Sequence, residues 1–112
     1  MLKVNTEHCC DISQELEELF KALANINRLL LVYSLASGEI EKVNVSQMAE
    51  MMGVTQPAAS QHLKVLKTAE ILIAQKKGNN IYYTFNKNSM VKHKKRIDFL
   101  FGCVLTKCDS LE

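Results

Sequence analysis

The chain has 112 residues, 47% of them hydrophobic, and a formal net charge of +2; this suits one domain with a small core and excludes a large enzyme with a deep substrate cavity. It has no apolar run of about 18 residues and no basic stretch leading into a short apolar one, so neither a membrane span nor a secretory leader is expected, and the cytoplasm is the expected location. The small net charge conceals a division: residues 1–50 carry Glu7, Asp11, Glu15, Glu17, Glu18, Glu39, Glu41 and Glu50 against Lys3, Lys21, Arg28 and Lys42, whereas residues 54–97 carry Lys64, Lys67, Lys76, Lys77, Lys87, Lys92, Lys94, Lys95 and Arg96 against Glu70, the footprint of a polyanion-binding half.

Residues 1–10 show no periodicity and are expected to form a flexible arm carrying His8, Cys9 and Cys10. Asp11 and Gln14 then have the spacing of a capping box. Leu16, Leu19, Phe20 and Leu23 give the first helix one apolar stripe, with Glu15, Glu17 and Glu18 off it. Asn25 is a cap for the next helix, whose Ile26, Leu29, Leu30, Leu31, Val32 and Leu35 are apolar almost all round, the pattern of a central core helix, until Gly38 stops it. Glu39 to Val43 is a short polar connection, with a brief strand expected at Lys42–Asn44.

The stretch from Asn44 to Leu72 predicts two short helices joined by a tight turn. Asn44 and Gln47 form a capping box, Val45, Met48, Ala49 and Met52 recur at helical spacing, and Gly53 supplies the stop. Thr55 caps a second helix, which tolerates Pro57 in its first turn and buries Ala58, Leu63, Val65 and Leu66. Gln56, Ser60, Gln61 and Lys64 then share the opposite face. Glutamine pairs with adenine, serine with several base edges, and lysine with guanine or phosphate, so that face suits a recognition helix in a major groove, although any solvated helix carries such residues. His62, on the same helix, is expected to serve packing or a phosphate contact.

Beyond Leu66 the pattern changes. Ile71–Lys76 and Ile81–Asn86 are β-branched and aromatic runs separated by Lys77, Gly78, Asn79 and Asn80, which predicts a β-hairpin, or wing, whose lysines and asparagines reach phosphates or a minor-groove edge. The last helix is expected over Asn88–Cys108. Its Ile97, Leu100, Phe101, Val104, Leu105 and Cys108 form a long apolar stripe, and the first helix offers a matching one, so the two together predict a dimer seam. Lys92–Arg96 are expected in solvent or facing Glu15, Glu17 and Glu18. The fold class expected is therefore mainly α with a small β-hairpin: an arm over 1–10 and a winged helix-turn-helix domain over 11–112, with recognition helix at about 56–67, wing at about 71–86 and dimerisation helix at about 88–108.

Nothing points to catalysis. There is no Ser/His/Asp or paired-carboxylate arrangement and no Gly-rich phosphate loop, and His8, His62 and His93 lack metal-protease spacing. The order of elements, the segment LFKALANINRLLLVYSL at Leu19–Leu35 with Arg28, the segment VTQPAASQHLKVLKTAEIL at Val54–Leu72 with Ser60, His62 and Leu63, and the wing KKGNNIYYTF together resemble the ArsR/SmtB family of winged-helix repressors. Glu70 stands where that family commonly has glycine. The resemblance implies a homodimer that binds double-stranded operator DNA and lets go when an effector binds.

The resemblance also implies several alternative effector sites. The zinc-type site between final helices would fall on Lys87, Ser89, Leu100 and Cys103, and the cadmium- and arsenic-type site on Ser46, Gln47, Met48 and Ala49, so this chain lacks both ligand sets. Of the cysteine pair in persulfide-sensing members, Tyr33 stands at or beside the first position and Cys103 close to the second. What remains is Cys9 and Cys10 on the arm with Cys103 and Cys108 on the final helix, an arrangement similar to variants that bind soft metals or arsenic through terminal thiols. Helical positions five apart differ by roughly 140°, so Cys103 and Cys108 do not readily share one ion while both remain helical. Cys108 lies on the apolar stripe and equally suits a small buried hydrophobe; Cys103 lies off it and is the better sensor. The effector expected is As(III), Cd(II), Pb(II) or Zn(II); the alternative is a thiol-redox or persulfide switch on the same cysteines without metal.

Overall fold

The computed structural model describes the backbone of residues 6–111 and the side chains of residues 14–102. Five helices and one hairpin follow in the order α1 (Thr6–Leu23), α2 (Ile26–Ser37), α3 (Val45–Met52), α4 (Gln56–Thr68), β1 (Leu72–Lys77), β2 (Asn80–Phe85) and α5 (Lys87–Leu111). This is a winged helix-turn-helix, mainly helical as expected.

The helix starts are set by short polar side chains that capture orphan backbone N–H groups. Asn25 Oδ1 accepts from the N–H groups of Asn27 at 2.9 Å and Arg28 at 3.3 Å. Asn44 Oδ1 accepts from Gln47 N–H at 2.8 Å while Gln47 Oε1 accepts from Asn44 N–H at 3.0 Å, the reciprocal capping box. Thr55 Oγ1 accepts from Ala58 N–H at 3.2 Å, and Asn86 Oδ1 from Ser89 N–H at 3.2 Å, which opens α5. Between α3 and α4, Gly53 adopts φ 64°, so its missing Cβ makes the tight left-handed exit inexpensive.

The wing is narrower at its tip than the sequence pattern suggests. Lys77 pairs with Asn80, leaving Gly78 and Asn79 as the turn. Gly78 at φ 62°, with no positive φ at Asn79, is the pattern of a type II′ turn, whose twist matches that of the flanking strands. The strand expected at Lys42–Asn44 is a single bridge: Val43 N–H donates to the Tyr83 carbonyl at 3.1 Å, and Tyr83 N–H to the Val43 carbonyl at 2.8 Å. Beside it, the Lys42 ammonium lies 4.6 Å from the centre of the Tyr82 ring.

The core takes a contribution from nearly every element: Leu19 of α1, Leu31 of α2, Val43, Met48 of α3, Leu63 and Leu66 of α4, and Ile71 and Leu72 at the wing root are all fully buried. Arg96 of α5 reaches Glu15 of α1 at 2.7 Å, as the charge pattern suggests. Glu17 instead pairs with Lys21, and Lys94 with Asp98, each one turn along its own helix.

Several expectations need correction. The first helix begins at Thr6, not Asp11, so Cys9 and Cys10 belong to a helical backbone and not to a loose arm. No glycine or proline interrupts Thr6–Leu23, and extending a helix adds one hydrogen bond for each residue fixed, so propagation overrides a cap at Asp11. Helix α2 is not enclosed: Leu31 and Leu35 are buried, but Ile26 and Tyr33 are each 64% exposed, with Leu29 and Leu30 also outside. Apolarity all round states that cover is wanted, not that the same chain supplies it. On α4 the deep positions are Ala59, Leu63 and Leu66, with Ala58 and Val65 only half-buried. Of the α1 stripe expected at the seam, Leu16 and Leu19 are buried in this chain's own core, Leu23 is half-buried and Phe20 is exposed; on α5 Phe101 is exposed, while Ile97 and Leu100 are half-buried. Val104, Leu105 and Cys108 lie outside the described side chains.

Glu70 has φ 61°, in the left-handed region where a Cβ carries a penalty. It stands just past Ala69, the C-cap of α4, and its neighbours are held: Ile71 N–H donates to the Leu66 carbonyl and Asn86 N–H to the Ile71 carbonyl, both at 2.9 Å. Glycine relieves the strain but enlarges the unfolded ensemble, and the two effects partly offset. We expect Glu70→Gly to raise unfolding stability by about 0.5–1 kcal/mol in urea titrations at fixed protein concentration. A loss of stability would show that the Glu70 side chain contributes more than its backbone strain costs.

Candidate nucleic-acid interface

Helix α4 is held along one edge and bare along the other. Gln56, Ser60, Gln61 and Lys64 are all exposed, opposite the buried Ala59, Leu63 and Leu66. Gln56 Nε2 donates to Ser46 Oγ at 3.4 Å, which ties the first turn of α4 to the first turn of α3. A cleft of about 280 Å³ lies between the start of α3, the middle of α4 and the wing tip, lined by Asn44, Ser46, Ser60, Asn79, Asn80 and Tyr83 among others. It joins Ser60 of the helix with Asn79 and Asn80 of the wing tip, all read from the sequence, and adds Asn44 and Ser46, which sequence reasoning missed as site residues. The Asn44 capping box was the available signal, since it fixes the first turn of α3 and hence Ser46.

The remaining candidates are distributed differently. Gln61 and Lys64 line a second cleft of about 320 Å³ between α1 and α4, with Glu18, Lys21, Ala22 and Val65. Lys76 and Lys77 are exposed on β1, but successive strand residues point to opposite faces, so they straddle the hairpin instead of lining one side of it. Together the groups form a surface rich in amides, hydroxyls and ammonium groups and free of carboxylates along α4, suited to a polyanion with base edges exposed.

His62 is turned inward. Its Nδ1 lies 3.1 Å from Arg28 Nη1. Arg28 also donates through Nε to the Ala22 carbonyl and through Nη2 to the Lys21 carbonyl at 3.3 Å. A guanidinium has no acceptor, so Nδ1 must accept and the ring hydrogen sits on Nε2. Burial, and then the adjacent Arg28 charge, hold the His62 pKa below the ordinary histidine range. His93, on α5, is buried.

The cysteine candidates Cys9, Cys10, Cys103 and Cys108 have side chains outside the described residues; their backbone lies in α1 and α5. Among the described residues no group of three His, Cys, Asp or Glu side chains converges on a point where a metal ion would sit. Among them, too, no single helix is long and apolar enough to cross a membrane.

Comparison with known proteins places this surface in a family. Residues 25–74 match the family model described as bacterial regulatory protein, arsR family. Over 76 residues the chain is 36% identical to the arsenical resistance operon repressor of Bacillus subtilis, covering 68% of this chain and 70% of that one. It is 35% identical over 66 residues to the HTH-type transcriptional regulator KmtR of Mycobacterium tuberculosis, covering 59% of this chain but spanning only about half, 48%, of KmtR. In structure it resembles the homodimeric winged helix-turn-helix DNA-binding domain Mb0332 of Mycobacterium bovis, with a TM-score of 0.64, 24% identity, and coverage of 96% of this chain and 91% of that one. With the matched model centred on the helix-turn-helix, and the match to the Bacillus repressor running over two thirds of its length, the chain belongs to the ArsR family of bacterial regulatory proteins.

Proposed function

We propose that the chain is a homodimeric repressor that binds double-stranded operator DNA through α4 and the wing and releases it when a soft metal or metalloid ion binds the terminal cysteines. The observation that carries the first part is the bare face of α4, with Gln56, Ser60, Gln61 and Lys64 exposed beside a cleft shared with Asn79 of the wing. Gln56, Ser60 and Gln61 meet base edges; Lys64, Lys76 and Lys77 meet phosphates. His62 contributes through its placement against Arg28.

Dimerisation is supported by apolar surface that one chain leaves in water. Phe20 on α1 is 44% exposed and Phe101 on α5 is 53% exposed, on the two helices expected to form the seam, and the Mycobacterium bovis domain described above is homodimeric. A two-fold seam sets the recognition helices about 34 Å apart, one turn of duplex, over a near-palindromic site.

The effector reading rests on chemistry at the two ends. Cys9 and Cys10 belong to α1, Cys103 and Cys108 to α5, and the two helices pack together through the Arg96–Glu15 pair. Thiolates are soft ligands for As(III), Cd(II), Pb(II) or Zn(II), and a relative acts in arsenical resistance by its name. A bound ion supplies a crosslink between these helices, biasing the dimer toward a spacing that fits DNA poorly. A coupling of about 1–3 kcal/mol lowers operator affinity roughly 5- to 150-fold.

On duplexes selected from a random library, Gln61→Ala should cost about 1–3 kcal/mol and relax sequence preference, while Lys77→Ala should weaken all duplexes alike and reduce the salt slope by about one. Anisotropy titrations at several salt concentrations separate the two, and unchanged binding by both variants would remove α4 and the wing from the interface. Phe101→Glu should give a monomer in sedimentation with weakened operator binding; a dimer of wild-type affinity excludes Phe101 from the seam. Cys103→Ser should keep operator binding and lose release by As(III) or Cd(II), with metal stoichiometry read by intact mass. Full release by Cys103→Ser, or release of the wild type accompanied by thiol crosslinking without metal, would overturn the metal reading.

A further inference from the structure

We propose that Arg28 is a positioning residue for the recognition helix, and that its grip on His62 makes operator binding proton-linked. The inference rests on the reading of α4 as the DNA-facing helix and concerns how that helix is held.

Three elements meet at one guanidinium. Lys21 and Ala22 belong to the last turn of α1; the Lys21 carbonyl accepts from Ala24 N–H at 3.3 Å, and Arg28, from the first turn of α2, donates to that carbonyl as well and to the Ala22 carbonyl. A cation at that end is also favoured by the helix dipole. The remaining arm of the fork, Nη1, reaches across to His62 Nδ1 on α4. A rigid planar fork ties the three donors to one another, so a shift at the end of α1 is passed to α4 through a single side chain. A lysine, with a compact ammonium, cannot span the same three acceptors.

The contact to His62 survives in only one protonation state. Protonating Nδ1 removes the acceptor and sets an imidazolium against a guanidinium 3.1 Å away. The other charged groups near that junction are Glu18 and Lys21 of α1, lining the α1–α4 cleft, and Lys64 on α4 itself. Lys21 is paired with Glu17 at 2.7 Å. Helix α3 contributes only Glu50, and β1 only Lys76 and Lys77. None of these enters the causes of the His62 shift, which are burial and then Arg28. The sign follows from the lowered folded-state pKa. Unfolded His62 takes a proton near pH 6.5, while the folded side chain keeps its free Nδ1 to lower pH, so the contact contributes fully above the unfolded value and is lost as pH falls through the lowered folded one.

The test measures operator affinity of the full chain by anisotropy from about pH 8 to about pH 5.5, with each variant referred to its own affinity at the upper pH. Wild type should lose affinity progressively as the pH is lowered below the ordinary histidine range. His62→Gln should flatten that profile whatever its absolute affinity, and Arg28→Lys should both weaken binding at the upper pH and flatten the profile, with helix content and dimerisation unchanged. Nitrogen NMR of the wild-type imidazole gives a readout independent of DNA: His62 should be the Nε2–H tautomer at neutral pH. Equal pH profiles for wild type and His62→Gln, wild-type affinity in Arg28→Lys, or an Nδ1–H tautomer would each overturn the proposal while leaving DNA binding by α4 intact. Failure of the wild type to bind any duplex would overturn both.

Discussion

Every property of the recognition face depends on keeping Leu63 and Leu66 out of water. Both are fully buried on the inner edge of α4, against Leu19, Leu31, Met48 and Ile71. Burial of each such side chain is worth about 1.5–3 kcal/mol. A helix of this length is marginal alone in water, so its rigidity is borrowed from that buried edge. The outer edge can then be chosen for chemistry. Gln56, Ser60, Gln61 and Lys64 contribute nothing to the core, which is why a full row of polar groups can stand there without weakening the fold.

What was legible in the sequence was mostly local. Asn25, Asn44, Thr55 and Gly53 act on backbone groups within a few residues, so their roles follow from spacing, and the structure has all of them where the sequence puts them. The face of α4 was legible for the same reason, as a helix period read against a known polar set. What was not legible depended on cover from elsewhere. Ile26, Leu29, Leu30 and Tyr33 look like core because their chemistry is that of core, yet one chain of this size cannot wrap both sides of α2. The helix start at Thr6 escaped because a cap signal at Asp11 competes with simple propagation, and composition does not say which prevails.

The site was half legible. Exposed single residues were found by type, whereas pairings across elements were not: Arg28 to His62, Gln56 to Ser46, and the meeting of Ser60 with Asn79 and Asn80 all need the tertiary arrangement. His62 illustrates the difficulty. As a histidine on a recognition helix it invites a phosphate contact, but its Nδ1 is committed inward. The division of charge along the chain, acidic before and basic after the helix-turn-helix, survives as Glu15–Arg96, a bond between the first and last helices. That pair is largely in solvent on the glutamate side and adds little stability, so its value lies in alignment.

The bridge between Val43 and Tyr83 changes what kind of object the wing is. An isolated two-stranded hairpin is at best marginally stable in water. Here the inner part of β2 is stitched to the residue just before the Asn44 cap, so the base of the wing and the start of α3 open and close as one cooperative unit. The outer part, from Lys76 to Ile81, extends beyond the stitch. A hairpin anchored in this way behaves as a cantilever: residues added or removed at Gly78 and Asn79 change how far its tip projects from the domain while the clamped root, and the core behind it, stay as they are.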